Sequence, residues 1–221
     1  MSKRLILGVF LAAVAAAVTA SALVVMGQGG GDETGGEGPD IRLELERLRL
    51  EEAAKPTFEG VVNGIRLYGP DADAALQRKD ACSDASREQV EHLTMSAVAG
   101  TPMEIVPTYL PAGAEEVAPM LPPVACNGTL VSVERQWIIR DKDADFFIAH
   151  RQGEQAIDID ASAERVSAAT VGGKRAALVA PLTPQGYGYS MVIVAEDFGL
   201  SVVVAFGLPI EETMKIAEGL K

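Results

Sequence analysis

Apolar and polar positions follow three different patterns along this chain. From Leu5 to Met26 there is no alternation: LILGVFLAAVAAAVTASALVVM is a run of 22 residues without a charge. As a helix rising 1.5 Å per residue it is about 33 Å long, enough to cross a hydrocarbon core of about 30 Å. Lys3 and Arg4 precede it, and Asp32 and Glu33 are the first charges after it. That asymmetry predicts a cytoplasmic stub (residues 1–4), a single-pass transmembrane anchor (5–26) and an extracytoplasmic remainder at the cell membrane. Ala20-Ser21-Ala22 has the small-x-small form of a signal-peptide cleavage site. Leu23-Val24-Val25-Met26 carries the apolar run past that site, which favours a retained anchor over a cleaved signal peptide. Both readings put the domain outside the cytoplasm.

Helical spacing follows. Residues 27–40 are rich in Gly and polar residues, which predicts a flexible linker with a root-mean-square span of about 20 Å. In Ile41 to Ala54, Ile41, Leu45 and Leu48 recur at i, i+4, i+7, Arg and Glu fill the rest, and Pro56 ends the run. A helix docked on its own domain is expected, with self-pairing the alternative. Thr57 to Tyr68 predicts two strands around Asn63-Gly64, and Ser83 to Leu93 a helix. Residues 41–100 therefore read as a membrane-proximal helical and hairpin region.

In residues 101–221 the pattern changes to strands, from Leu130 onward. The proline-rich Thr101–Val124 excludes long regular elements. Beyond it, Leu130–Arg140 with Asp145–His150, Arg165–Val171 with Arg175–Ala180, and Tyr189–Ala195 with Leu200–Phe206 each predict an antiparallel pair joined by a tight turn. Glu154–Asp160 predicts a further strand. Pro209 opens a final helix, Ile210–Leu220, with Met214, Ala217 and Ile210 inward. The fold class expected is α+β: a curved antiparallel sheet with the C-terminal helix packed on one face.

Charge narrows the partners. Past the anchor, 17 basic residues stand against 31 acidic ones, a formal charge of −14. Nucleic acid and anionic lipid head groups are repelled by such an excess, while basic protein surfaces or cations are permitted. The two cysteines, Cys82 and Cys126, both fall in the exported part. In an oxidising compartment such a pair predicts one disulfide, contributing about 4 kcal/mol through loop closure.

Candidate chemistry is sparse. Asp141-x-Asp143-x-Asp145 has the opening spacing of a calcium loop, but the required Gly and Glu are replaced by Phe146 and Gln152. Asp158 and Asp160 share a strand face and could form a carboxylate pair, but a solvated acidic face is the expected reading. His92 and His150 are the only histidines, too few for a zinc site with the cysteines bridged. No catalytic set, cofactor site or metal site is expected. Trp137, Phe147, Met191 and Phe206 are the residues that would line an apolar ligand pocket between sheet and helix.

Two motifs together resemble a known family. Pro107-Thr108-Tyr109-Leu110-Pro111-Ala112-Gly113 resembles the "P-x-Y-L-P-x-G" opening of an uncharacterised bacterial extracytoplasmic domain. Glu211-Glu212-Thr213-Met214-Lys215-Ile216-Ala217 resembles that family's closing "E-E-x-x-K-I-A" helix. The family lies behind a single membrane helix, often in anti-sigma-factor-like proteins, and implies no catalytic residues. Only four residues precede the apolar run here, so no cytoplasmic sigma-binding domain is expected. The resulting expectation is a non-enzymatic interaction or sensor module with a protein partner in the cell envelope, of undetermined oligomeric state. The alternative is a lipid- or lipoprotein-binding carrier for an amphipathic ligand.

Overall fold

Twelve short and long strands organise the computed structural model, which describes residues 41–69, 82, 89–154 and 156–220. The expected anchor and linker lie outside the described residues, among which no helix is long and apolar enough to cross a membrane. The chain from Arg42 onward clusters as one unit.

Turn chemistry sets the hairpins. Strands β1 (Gly60–Val62) and β2 (Ile65–Tyr68) flank Asn63 and Gly64, whose φ angles of 50° and 81° suit a two-residue turn. Gly172 and Gly173, at φ 55° and 81°, do the same between β9 (Val166–Val171) and β10 (Lys174–Val179). The other strands are β3 (Val90–His92), β4 (Glu115–Val117), β5 (Val124–Cys126), β6 (Thr129–Ile139), β7 (Ala144–Gln152), β8 (Ala156–Asp158), β11 (Tyr189–Glu196) and β12 (Gly199–Phe206). Helix α1 is Ile41–Ala53 and helix α2 is Ile210–Glu218.

Nine strands form one antiparallel sheet in the order β3-β5-β6-β7-β12-β11-β10-β9, with β4 also paired to β6. The second sheet is β1-β2-β8, in which β2 and β8 are parallel. The protein is thus mostly β, with its C-terminal helix packed against the larger sheet. Of the expected helix Ser83–Leu93, the described end is strand instead: Val90–His92 is β3, paired with β5 so that Val90 faces Cys126. Cys82 and Cys126 are bonded, their Cα atoms 5.4 Å apart, within the range a disulfide requires. Tertiary pairing beside that bridge overrides the local helix preference.

The large sheet is buried on both faces. Val192, Val194, Val203 and Ala205 join one core with Trp137, Ile139, Phe146 and Ile148, and α2 adds Ile216 and Ala217. Their neighbours Ile193, Val202 and Val204 join a second core with Ile65 and Leu67 of the small sheet. Period-two geometry splits each strand between the two. The inner face of α2 is Thr213, Ile216 and Ala217, with Met214 and Ile210 only half-buried. Fully burying each aliphatic side chain contributes about 1.5–3 kcal/mol. Phe146 is fully buried and stacked on Trp137, ring centroids 5.1 Å apart. Phe146→Ala is therefore expected to lower unfolding free energy by about 3–5 kcal/mol, with an unchanged denaturant slope in guanidinium melts.

Candidate functional site

Two assemblies of side chains stand out, one on each side of the large sheet. The first joins the two motifs singled out in the sequence. Backbone bridging pairs Pro107 with Leu220, and the Thr108 N–H donates to the Gly219 carbonyl at 2.7 Å. The Tyr109 hydroxyl donates to Glu212 at 2.6 Å, and Lys215 donates to the other oxygen of that carboxylate at 2.7 Å. The Lys215 ammonium, then the Tyr109 hydroxyl, hold the Glu212 carboxyl below its ordinary value against the opposing effect of burial. The segment Met103–Tyr109, a strap across this face, is tied to the sheet further back. Arg135 donates to the Ile105 carbonyl at 2.6 Å while gripping Glu116 with two nitrogens, and its guanidinium lies 5.3 Å from the Trp137 ring centroid.

The second assembly clamps α1. Glu52 accepts the Ser162 N–H at 2.8 Å, the Ser162 hydroxyl at 3.0 Å and Arg165 at 3.2 Å. Arg165 also donates to the carbonyls of Ala180 and Tyr189, and lies 4.9 Å over the Tyr189 ring. Burial pushes the Glu52 carboxyl up, but the Ser162 and Arg165 donors together outweigh it and hold it below 4.5. The Tyr189 phenol is pushed up to about 12, chiefly by burial. Lys55 adds an exposed pair to Glu164 at 2.6 Å. Leu45 and Leu48 of α1 are half-buried, whereas Ile41, Leu43 and Leu50 are 61, 70 and 63 % exposed. The docked face thus runs through Leu45 and Leu48 to Glu52, and Ile41, expected on the same stripe, is exposed instead. The Glu52 position, i+11 from Ile41, was the one sequence signal for the clamp, and its acidic side chain concealed it.

The residues expected to line one pocket fall in two places. Met191, with Phe147 and Phe206 packed against it, belongs to the core under the small sheet; Trp137 belongs to the core under α2. The β6–β7 register explains the split, since Phe147 faces Gln136 and Trp137 faces Phe146. Two open clefts are described, of about 340 and 270 Å³. The first lies among the turns at Gly64, Gly153 and Asp197; the second lies between α1 and Pro181. Neither is lined by any of those four residues.

The titratable candidates are dispersed. His150 is buried with Nδ1 3.2 Å from the Met103 carbonyl, and desolvation pushes its imidazole down to about 4. Ser201 sits opposite it on β12, but its hydroxyl donates to Glu196 at 3.4 Å. His92 is exposed on β3. Glu134 is buried on the other face, where desolvation pushes its carboxyl up despite Arg151. Asp141 and Asp143 are exposed at the β6–β7 turn, while burial pushes up Asp145 on the sheet itself. Asp158 is half-buried in β8, and Asp160 lies past its end, bonded through its backbone to the Tyr189 hydroxyl. Among the described residues no group of three or more His, Cys, Asp or Glu side chains is arranged to hold a metal ion.

Compared with protein-family models, curated proteins and solved structures, the chain matches none.

Two outcomes follow from these assemblies. A Cβ on Gly219 would stand 2.8 Å from the Tyr109 nitrogen, so Gly219→Ala is expected to cost about 1–3 kcal/mol in chemical denaturation, and Tyr109→Phe about 1 kcal/mol. Because Glu52 is depressed in the folded state, its contribution is full above 4.5 and is lost as the pH falls below it. Glu52→Gln should mimic that loss at neutral pH. Trypsin should then cut Arg47 and Arg49 faster than in the native chain, with little change in the thermal midpoint of the sheet.

Proposed function

We propose that this chain is a non-enzymatic interaction or sensor module: an α+β domain behind a single membrane helix, engaging a protein partner in the cell envelope through α1. The observation that carries this reading is the exposure of Leu43 and Leu50, 70 and 63 %, on a helix whose opposite side is held by Glu52. A helix clamped by a half-buried ion pair presents those leucines, one heptad apart, at fixed spacing, as a groove on a partner protein requires. The bridged cysteines support an oxidising compartment, and the uncharged run Leu5–Met26 supports the anchor. The excess of acidic residues favours a partner with a neutral or basic rim around its groove. The carrier reading has less support, since Trp137 packs apart from Phe147, Met191 and Phe206.

A photo-crosslinking amino acid at Leu43 or Leu50 of the full chain, in its native envelope, tests the proposal. The expected result is an adduct with a protein of discrete mass, abolished by Leu43→Glu or Leu50→Glu at the second position and not obtained from Lys142. Adducts with lipid alone, or no adduct, would overturn it.

A further inference from the structure

The two ends of the large sheet are built differently. Beyond β6 the sheet is broken into β3, β4 and β5, three residues each, with Pro119, Pro122 and Pro123 between β4 and β5. Short strands and prolines are the ordinary means of blunting a sheet edge against further pairing. The opposite end is β9, VSAATV, six residues without a charge or a proline. Among the described residues β9 pairs only with β10, and Ser167, Ala168 and Thr170 are exposed.

Which backbone groups are left over follows from the turn. A two-residue turn at Gly172-Gly173 makes Val171 and Lys174 a hydrogen-bonded pair, so Ala169 and Ser167 also bond inward to β10. The Ala180 N–H bonded to the Arg165 carbonyl has the same parity. The N–H and C=O of Ala168 and Thr170 therefore point away from the sheet. Val166 differs, because its N–H is taken by the Ala163 carbonyl.

We propose that β9 is a self-association edge that pairs antiparallel with β9 of a second copy, about a two-fold axis at Ala169. In that register Ala168 of each copy bonds Thr170 of the other, and the four hydrogen bonds satisfy every outward group of these residues. Ala169 meets Ala169 of the second copy at a non-hydrogen-bonded position, Cα atoms about 4.5 Å apart, and no side chain on the edge exceeds valine.

Shape selects this occupant, and local neutrality permits it. The chain is strongly acidic as a whole, with a formal charge of −12, which keeps copies apart. The cations beside β9 are already engaged, Arg165 with Glu52, Lys174 with Glu196 and Arg175 with the Asn63 carbonyl, so the strand is locally neutral. A captured peptide would take its specificity from pockets for alternate side chains. No β9 residue lines either described cleft. Self-pairing needs no such pockets, and an isologous contact closes at two copies. It does not depend on what binds α1.

The test uses the full chain in detergent, with Cys82 and Cys126 already bonded. Ala169→Cys under mild oxidation is expected to give a reductant-sensitive dimer, lost when Thr170→Lys is added and kept when Leu50→Glu is added. Amide exchange of the unmodified chain gives the variant-free reading. Raising its concentration should slow Ala168 and Thr170 together, at least threefold, while Ser167 and Ala169 stay protected throughout. A chain whose Ala168 and Thr170 amides exchange at the same rate at every soluble concentration would overturn the proposal. So would cross-linking that survives Thr170→Lys, or protection of those two amides that arises only when a different protein is added.

Discussion

Burial of one sheet on both faces is the constraint on which the rest of this structure depends. Strands β11 and β12 send Val192, Val194, Val203 and Ala205 to one core and Ile193, Val202 and Val204 to the other. An antiparallel sheet with one solvated face carries polar residues at alternate positions; the centres of these strands, 191–194 and 202–205, carry none. Each face therefore needs its own cover. Helix α2 and the Met103–Tyr109 strap close one, and β1, β2 and β8 close the other. Strand β12 lies between β7 and β11, so the centre of the sheet is completed only when the last strand is in place.

The covers are held by polar contacts at their ends, where geometry must be fixed without displacing apolar area. Arg135 reaches the Ile105 carbonyl, Tyr109 reaches Glu212, and Thr108 reaches Gly219. Arg165 plays the same part on the opposite edge, tying Ala180, Tyr189 and Glu52 together. Guanidinium suits these positions, since its fork satisfies several acceptors at once while its stem packs on a ring. The segments 107–113 and 211–217 meet in the fold through the Tyr109–Glu212 contact, and Gly219 lies close against Tyr109.

Local signals were legible and partner choice was not. Asn63-Gly64 and Gly172-Gly173 announced their hairpins because only a few residue types adopt positive φ at both turn positions. Short apolar runs bounded by turn residues announced β6, β7, β11 and β12. The segment before Leu93 reads as helix from its own residues, yet Val90 pairs with Cys126 across β5. Alternation in Glu154–Asp160 predicts a strand, but leaves open that β8 leaves the large sheet and runs parallel to β2. Trp137 and Phe147 were grouped by chemistry, and the cross-strand register that separates them is a tertiary quantity. Glu52 was hidden for a related reason: its role is set by Ser162 and Arg165, more than a hundred residues on.

The same division explains where surfaces for other molecules remain. Both sheet faces are used up by internal covers, and the end beyond β6 is broken into short strands. Among the described residues, two surfaces stand at the rim: the outer side of α1 and the backbone of β9. These two offer different chemistry. Leu43 and Leu50 present apolar area without hydrogen-bonding groups, which suits a complementary groove and gives little register. Ala168 and Thr170 present backbone donors and acceptors with little area, which suits another strand. Glu52 and Arg165 lie between them, in one ion pair that fixes α1 to the segment leading into β9.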